Sequence, residues 1–268
     1  MVMKAYLLML KTQSMMALQY RAQALAGVFT QFAFGFMRVF VMIAFYAGSA
    51  AVQPMSLEQV VTYIWMTQML LTLMAWRPDP EVLAMIREGS IAYEMVRPVR
   101  ISTAWLMRSL ARRGVMPMMR GIPILIVAML LPAPYKLVLP LSVRTAILSV
   151  IVLLLAWILA GMLNNTLNIL TIYLMSADGI AKLFPIVMMF FSGLILPIPL
   201  FPDGLQVFFS YTPFAGLMDT PARVLMGHLS GGDALFSMAV QVFWIIFVLL
   251  LNDRLLESKL KNVVVQGG

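Results

Sequence analysis

The sequence predicts an all-α polytopic membrane protein with six transmembrane helices, on the basis of its composition and its apolar stretches. Of the 268 residues, 62% are hydrophobic and only 11% are charged, whereas a soluble domain carries about 25% charged residues. The mean hydropathy is +0.93. A helical span needs roughly 20 apolar residues, and six apolar stretches of the chain can be assigned as spans. These features exclude a soluble enzyme, a disordered chain and a collagen-like chain.

The six predicted spans belong to a single transmembrane domain that covers residues 1–268. Their approximate bounds are 22–47, 57–76, 116–131, 144–173, 183–196 and 234–251. Ahead of the first span, residues 1–20 place Lys4, Lys11 and Ser14 on one helical face and Leu8, Met15 and Leu18 on another. That pattern favours an amphipathic helix in the plane of the lipid headgroups. An early start of the first span is the alternative interpretation.

The distribution of basic residues predicts the orientation of the spans. The formal net charge is +8, and most Lys and Arg residues lie at the two termini or in the segment 77–120. Cytoplasmic loops of membrane proteins carry an excess of Lys and Arg. Both termini and the region 77–115 are therefore predicted to face the cytoplasm, and the segment 197–233 to face outward. Basic residues beside apolar spans are typical of contacts with anionic membrane lipids rather than with nucleic acid.

No sequence pattern for catalysis or metal binding is found. The chain contains no phosphate loop of the GxxxxGK[ST] type, no HExxH and no GxSxG. It has no cysteine and one histidine, whereas metal sites need several convergent ligands. We therefore predict no catalytic residue and no metal ligand, and we expect His228 to be an exposed loop side chain.

Polar side chains occur inside two of the predicted spans. Arg38 falls within the first span, where a charge is costly unless it faces protein or a wet cavity, and extension to the membrane surface is the alternative. Asn164, Asn165 and Asn168 lie in the fourth span with Thr171. Such groups are typical of hydrogen bonding between helices. The alternative is that the asparagines, together with Arg38, line a path for a substrate.

The segment 197–233 is too apolar for an aqueous loop and too often interrupted for a span. It contains five prolines among aromatic residues, and unpaired backbone groups are costly in hydrocarbon. We therefore predict short re-entrant helices at the outer interface that form a lid. Its charged and ionisable residues are expected to face water: Asp203, Asp219, Arg223, His228 and Asp233.

Two segments resemble the type-two permeases of ATP-binding-cassette transporters, in particular the bacterial branch with six spans. They are IREGSIAYEMVRPV (86–99) and LPIPLFPDGLQVFFSYTPFAGLMDTPARVLMG (196–227). With the overall plan, the resemblance covers essentially the whole chain. It implies a membrane subunit of the bacterial plasma (inner) membrane that pairs with an identical or homologous permease. Each half would dock on a separate ATPase subunit, two copies in all, which would bind ATP and Mg²⁺, so that this chain needs no cofactor.

The resemblance also implies which residues contact the ATPase. In the family, the cytoplasmic segment between the second and third spans forms a coupling helix, which corresponds here to residues 81–99. The implied contact residues are Arg87, Glu88, Gly89, Glu94 and Arg97. The turn between the fourth and fifth spans, with Asp178, would be a second contact.

The implied function is export driven by ATP hydrolysis on the partner. Such permeases have no catalytic residues of their own and mostly export drugs, lipids, glycans or peptides. A secondary, ion-coupled transporter is the alternative. It is disfavoured because the span interiors carry no acidic residue that could relay protons and no inverted repeat is visible. A membrane-embedded enzyme is disfavoured by the single histidine.

Overall fold

The computed structural model describes residues 2–50, 52–96, 99–140, 142–174 and 177–260, and all regular secondary structure in them is helical. No strand occurs in these ranges, and the all-α prediction is confirmed. Eleven α-helices lie within them: α1 Val2–Ala17, α2 Arg21–Gly48, α3 Leu57–Leu70, α4 Pro80–Arg87, α5 Ile91–Met95, α6 Ile101–Leu130, α7 Val143–Leu174, α8 Ala177–Phe191, α9 Asp203–Ser210, α10 Asp219–Leu225 and α11 Gly231–Leu260.

Four of these helices are long and apolar enough to cross a bilayer. They are α2, α6, α7 and α11, within which the qualifying ranges are Arg21–Gly48, Ile101–Leu130, Val143–Tyr173 and Gly231–Lys259. They correspond to the first, third, fourth and sixth predicted spans. The central helix is α7, which contacts α4, α6, α8, α10 and α11.

The second and fifth predicted spans correspond to shorter helices. α3 has 14 residues and continues into a 3-10 turn, Leu71–Leu73, while α8 has 15 residues and ends at Phe191. Helices of this length extend about 21 to 23 Å, which is less than the roughly 30 Å of a hydrocarbon core. α8 stops shortly before Gly193, whose φ of 80° is incompatible with a continuing right-handed helix. By length, therefore, four spans are identified among the described residues, and the six predicted spans are not confirmed.

α6 begins 15 residues before the third predicted span, at Ile101 rather than near residue 116. The arginine-rich part of the predicted cytoplasmic region is thus continuous with a membrane-length helix. It is helical because one face packs into the protein, where Trp105 is fully buried and Leu110 O accepts a hydrogen bond from Trp157 Nε1 of α7 at 2.8 Å. Pro117 and Pro123 lie inside this helix.

α1 packs along α6, and the hydroxyl of Tyr6 accepts a hydrogen bond from the backbone N–H of Arg100 at 2.9 Å. The residues expected to form its apolar face, Leu8, Met15 and Leu18, are exposed on the surface of the chain. The location of α1 in the headgroup plane stays a prediction.

The segment 197–233 forms short helices, α9 and α10, alternating with the 3-10 turns Ile198–Leu200 and Ala215–Leu217. Phe209 and Ile198 are buried at its centre and pack with aromatic rings from the end of α8 and from Phe201. The segment is therefore folded onto the ends of the long helices, as its apolar composition requires. Its placement at the outer interface stays a prediction.

Candidate functional site

Asp79 ties the start of α4 to the middle of α7. The side-chain amides of Asn164 and Asn168 donate to Asp79 Oδ2 at 2.9 and 3.0 Å, and the backbone N–H of Asp79 donates to Asn168 Oδ1 at 2.8 Å. All three side chains are buried. Because Asp79 immediately precedes α4, this Asp79–asparagine cluster fixes the beginning of that helix against a membrane-length helix.

The three asparagines predicted either as packing groups or as a substrate path all bind other parts of the chain. Asn165 Nδ2 donates to the carbonyl of Ser102 in α6 at 3.2 Å, and Asn164 and Asn168 bind Asp79. This is the hydrogen bonding between helices that was the first interpretation of these residues. None of the three lines the cavity described below.

Two neighbouring arginines of α6 extend the same cluster. Arg112 Nη1 lies 3.6 Å from Asp79 Oδ1, and Arg112 Nη2 lies 2.8 Å from Glu81 Oε1. Arg113 donates to the carbonyl of Met74 at 3.0 Å and to the side-chain carbonyl of Asn164. The end of α3, the beginning of α4, and the helices α6 and α7 are thereby joined through polar contacts in one place.

Three of the predicted ATPase contacts form an exposed turn between α4 and α5. Arg87, Glu88 and Gly89 are all exposed, and we call residues 87–89 the exposed turn. Gly89 has a φ of 69° with open space around its Cβ position, a backbone conformation that only glycine adopts readily. On its other side α4 buries Val82 completely, against Trp105 of α6 and Ile169 of α7. The exposed turn therefore projects from a helix that is firmly packed on the bundle.

The other predicted contacts are placed differently. Glu94 is buried, 5% exposed, and pairs with Arg108 of α6 at 3.3 Å. This corrects the expectation that its side chain is free to contact a partner, because the carboxylate already binds within the chain. Arg97 lies outside the described residues, and so does the side chain of Asp178, whose backbone belongs to α8.

Arg38 faces protein and not open surface. Its Nη1 donates to Thr67 Oγ1 of α3 at 3.1 Å, and its Nη2 is buried with no hydrogen-bond partner in the part of the chain that the structure describes. A charged group in an apolar helix is thus directed at the neighbouring helix, as the first of its two interpretations required.

A cavity of about 1100 Å³, lined by both charged and apolar side chains, opens between α2, the end of α3, α4, α6 and α8. Its lining contains five basic side chains and one acidic side chain, that of Asp79: the basic residues are Arg77, Arg112, Arg113, Arg120 and Lys182. This cavity was not predicted from the sequence, since the arginines of the segment 77–120 were interpreted as a signal of cytoplasmic orientation. The signal that was available is the presence of Arg113 and Arg120 inside a helix that continues into an apolar span.

Comparison with protein families identifies the chain. A family model described as "ABC-2 family transporter protein" matches residues 32–267. The chain belongs to this family. The match confirms the resemblance found in the sequence, and it includes the Asp79–asparagine cluster, the exposed turn and most of the cavity. A comparison with curated proteins finds no match. The ABC-2 family protein is a multi-pass membrane component of a transporter.

In this ABC-2 family protein, the segment 197–233 contains a buried ionic contact that was expected to face water. Asp219 is 2% exposed, accepts a hydrogen bond from the hydroxyl of Tyr63 at 2.9 Å and lies 3.3 Å from Arg223 Nη1. Burial raises the pKa of the Asp219 carboxyl above its usual value, and the Arg223 guanidinium opposes that shift only in part. The expectation for Asp219 was wrong because its partner on α3 is distant in sequence.

His228 is partly buried rather than exposed. Its Nδ1 accepts a hydrogen bond from Arg223 Nε at 3.2 Å. Burial, and then the nearby Arg223 charge, lower the pKa of His228. Within the described ranges, no group of three or more His, Cys, Asp or Glu side chains is arranged to hold a metal ion.

Proposed function

We propose that this ABC-2 family protein is the permease subunit of an ATP-driven exporter and that separate ATPase subunits dock on its exposed turn. The observation that carries the proposal is the contrast between the two ends of α4. At one end Arg87, Glu88 and Gly89 are exposed, and at the other Asp79 is buried and bound to α7. A partner that moves the exposed turn therefore acts directly on the transmembrane helices.

A movement of the exposed turn would reach the long helices through the polar contacts at the beginning of α4. α4 has eight residues, about 12 Å of helix, and its start is bound to α7 through Asp79 and to α6 through Arg112. Coupling between distant sites is carried by rigid elements joined through such networks. A displacement of α4 by an ATPase would accordingly shift α6 and α7 relative to each other.

The orientation follows from the predicted cytoplasmic location of the exposed turn. If α2 runs outward and α6 begins in the cytoplasm, the connection between them must return across the bilayer, and α3 is the helix available for it. Ten of the 14 residues of α3 are buried, which suits a short crossing that is shielded by its neighbours. α8 would make the fifth crossing in the same way, with both termini cytoplasmic in the bacterial inner membrane.

The complete exporter contains more than this chain. Two ATPase subunits bind ATP and Mg²⁺, and a second permease, identical or homologous, provides the other half of the path. α2 and α8 expose large apolar side chains, among them Phe29 and Ile186, and these surfaces are available to a second permease or to lipid. The exported molecule belongs to the drug, lipid, glycan or peptide classes.

Affinity purification tests this proposal. The full-length chain, tagged and extracted from its native membrane in mild detergent, should carry a stoichiometric ATPase. Glu88→Lys reverses an exposed charge in the exposed turn and should reduce the amount of ATPase recovered. Glu257→Lys, the same charge reversal at an exposed position of α11, is the matched control and should recover the wild-type amount. Wild-type protein that transports in vesicles without any ATPase would contradict the proposal.

A further inference from the structure

Most of the basic side chains that line this cavity have no carboxylate partner. Arg112 is paired with Asp79 and Glu81. Arg77, Arg113, Arg120 and Lys182 have no carboxylate within ion-pair distance among the residues that the structure describes. Asp79, the acidic residue in the lining, already accepts two amide hydrogen bonds besides its contact with Arg112. The cavity therefore carries a strong excess of positive charge that the described part of the chain does not balance.

Two of these arginines also present buried hydrogen-bond donors without a partner. Arg113 Nε and Arg120 Nε are buried and make no hydrogen bond within the described ranges. Both guanidinium groups are held in position by their other nitrogens, Arg113 at Met74 O and Arg120 at the carbonyl of Gln23, 3.3 Å away. A buried polar group left unpaired in a folded protein calls for an explanation such as a bound ion or ligand.

The same cavity contains polar acceptors and apolar surface. Gln31 Oε1 and Thr72 Oγ1 are buried without a partner in the described residues, and both side chains line the cavity, as do Leu71 and Met116. Gln23 and Gln31 of α2 are eight residues apart, so the cavity follows α2 for about 12 Å. The cavity thus extends from the beginning of α2 into the apolar part of that helix.

We propose that this cavity binds the anionic group of an amphipathic molecule, with the charge at the arginines and the apolar part along the spans. Guanidinium groups bind phosphate and carboxylate through paired, charge-assisted hydrogen bonds. The inference rests on the proposed function, since it assigns the exported substrate to the class of amphipathic anions. The anionic group belongs either to a membrane lipid or to a soluble amphiphile, and the chemistry that binds it is the same.

Thermal unfolding of the purified full-length protein, with its ATPase where that is retained, tests the binding. A ligand that binds only the folded state raises Tm as its concentration exceeds Kd. In a neutral detergent, phosphatidylglycerol and dodecyl phosphate should raise Tm, whereas phosphatidylcholine should not. Stabilisation by phosphatidylglycerol alone identifies a lipid headgroup, and stabilisation by both identifies amphipathic anions in general. Equal stabilisation by inorganic phosphate and by the amphiphiles would overturn the assignment to an amphipathic ligand.

Two variants connect any stabilisation to this cavity. Arg120→Gln and Lys182→Gln each remove one positive charge from the lining and should weaken binding about tenfold, the effect of losing a hydrogen bond to a charged group. Lys182 is exposed and has no partner in the described part of the chain, so its replacement does not disturb folding. The control is Arg254→Gln, the same charge change on exposed surface of α11. Wild-type binding by both cavity variants, or equal weakening by the control, would overturn the inference.

The binding measurement uses neither ATP nor transport, so it is independent of the test of the proposed function. If the ATPase co-purifies but no anion stabilises the protein, only the cavity inference fails. If anions stabilise the wild type and not the cavity variants, while no ATPase is recovered, the site stands and the exporter assignment fails. Loss of the ATPase from Arg120→Gln and Lys182→Gln without any anion binding would show instead that the cavity is a docking surface.

Discussion

Asp79 and Asn168 exchange two hydrogen bonds, from Asn168 Nδ2 to Asp79 Oδ2 at 3.0 Å and from the backbone N–H of Asp79 to Asn168 Oδ1 at 2.8 Å. The two residues are 89 positions apart in the sequence. One precedes α4 and the other lies in α7, so this pair connects the segment with the exposed turn to the central membrane helix.

Asn168→Leu should destabilise the protein. It removes both hydrogen bonds and leaves the carboxylate of Asp79 buried with one fewer donor, which costs about 1 to 3 kcal/mol. Ser237→Ala is the control, because Ser237 bonds only to a carbonyl of its own helix at an exposed position. Thermal unfolding in detergent measures both, and an unchanged Tm for Asn168→Leu would contradict the role assigned to the pair.

Glu94→Gln should destabilise the protein, whereas Glu88→Lys should not. Glu88 is exposed, so its reversal should weaken ATPase docking with little change in Tm. Glu94→Gln leaves Arg108 buried without a full counter-charge, a change that costs about 3 kcal/mol when a buried pair is broken. Measuring Tm and ATPase recovery on both variants separates the two roles. A stable Glu94→Gln protein that has lost its ATPase would mean that Glu94 contacts the partner after all.

Gly89→Ala should reduce coupling of ATP hydrolysis to transport. The φ of 69° at this position costs a residue with a Cβ about 1 kcal/mol, so the exposed turn should rearrange although space is open around it. Gly204→Ala is the control, since Gly204 has equally open surroundings and no positive φ. The measurement is transport per ATP hydrolysed in reconstituted vesicles, where Gly204→Ala should match the wild type.

The stability of the wild type relative to Asp219→Asn should fall as pH rises from acid values. Because burial raises the pKa of Asp219 above its ordinary 3.8, the folded state holds this proton more tightly than the unfolded state. The resulting stabilisation is complete below 3.8 and is lost as pH rises through the folded-state pKa. His228, with a lowered pKa, acts with the opposite sign, but it is present in both proteins and cancels. A pH-independent difference in Tm would contradict the shift.

The positions of the long apolar helices could be predicted because they depend on the local sequence. Continuous apolar runs located both ends of α2 and α7 and the beginning of α11 within a few residues, because a membrane helix must satisfy its backbone internally whatever surrounds it. The end of α11 was placed nine residues too early, because the helix continues through charged residues to Leu260. The ends of α3 and α8 were placed too late because they depend on backbone conformations, such as the positive φ of Gly193, that hydropathy does not report.

Side-chain partners could not be predicted in the same way. Charged groups were expected in water or at a partner, yet Asp219 binds Tyr63 across 156 positions and Glu94 binds Arg108 in the next long helix. A sequence shows how many charges a segment has, while tertiary packing decides which of them are neutralised. The cavity was missed for that reason, since the sequence does not show that Arg112 has carboxylate partners while Arg120 has none in the described chain.

The two prolines inside α6 give this helix a hinge. Proline has no N–H to donate to the carbonyl four residues earlier, so Pro117 and Pro123 remove the hydrogen bonds that would restrain Arg113 O and Met119 O. The helix can therefore bend between its N-terminal portion, which carries Arg112 and contacts α4, and its C-terminal portion. Arg113 and Arg120 lie on opposite sides of Pro117. Any bending there would change the separation of the two guanidinium groups, so the affinity of the proposed anion site would depend on the curvature of one helix.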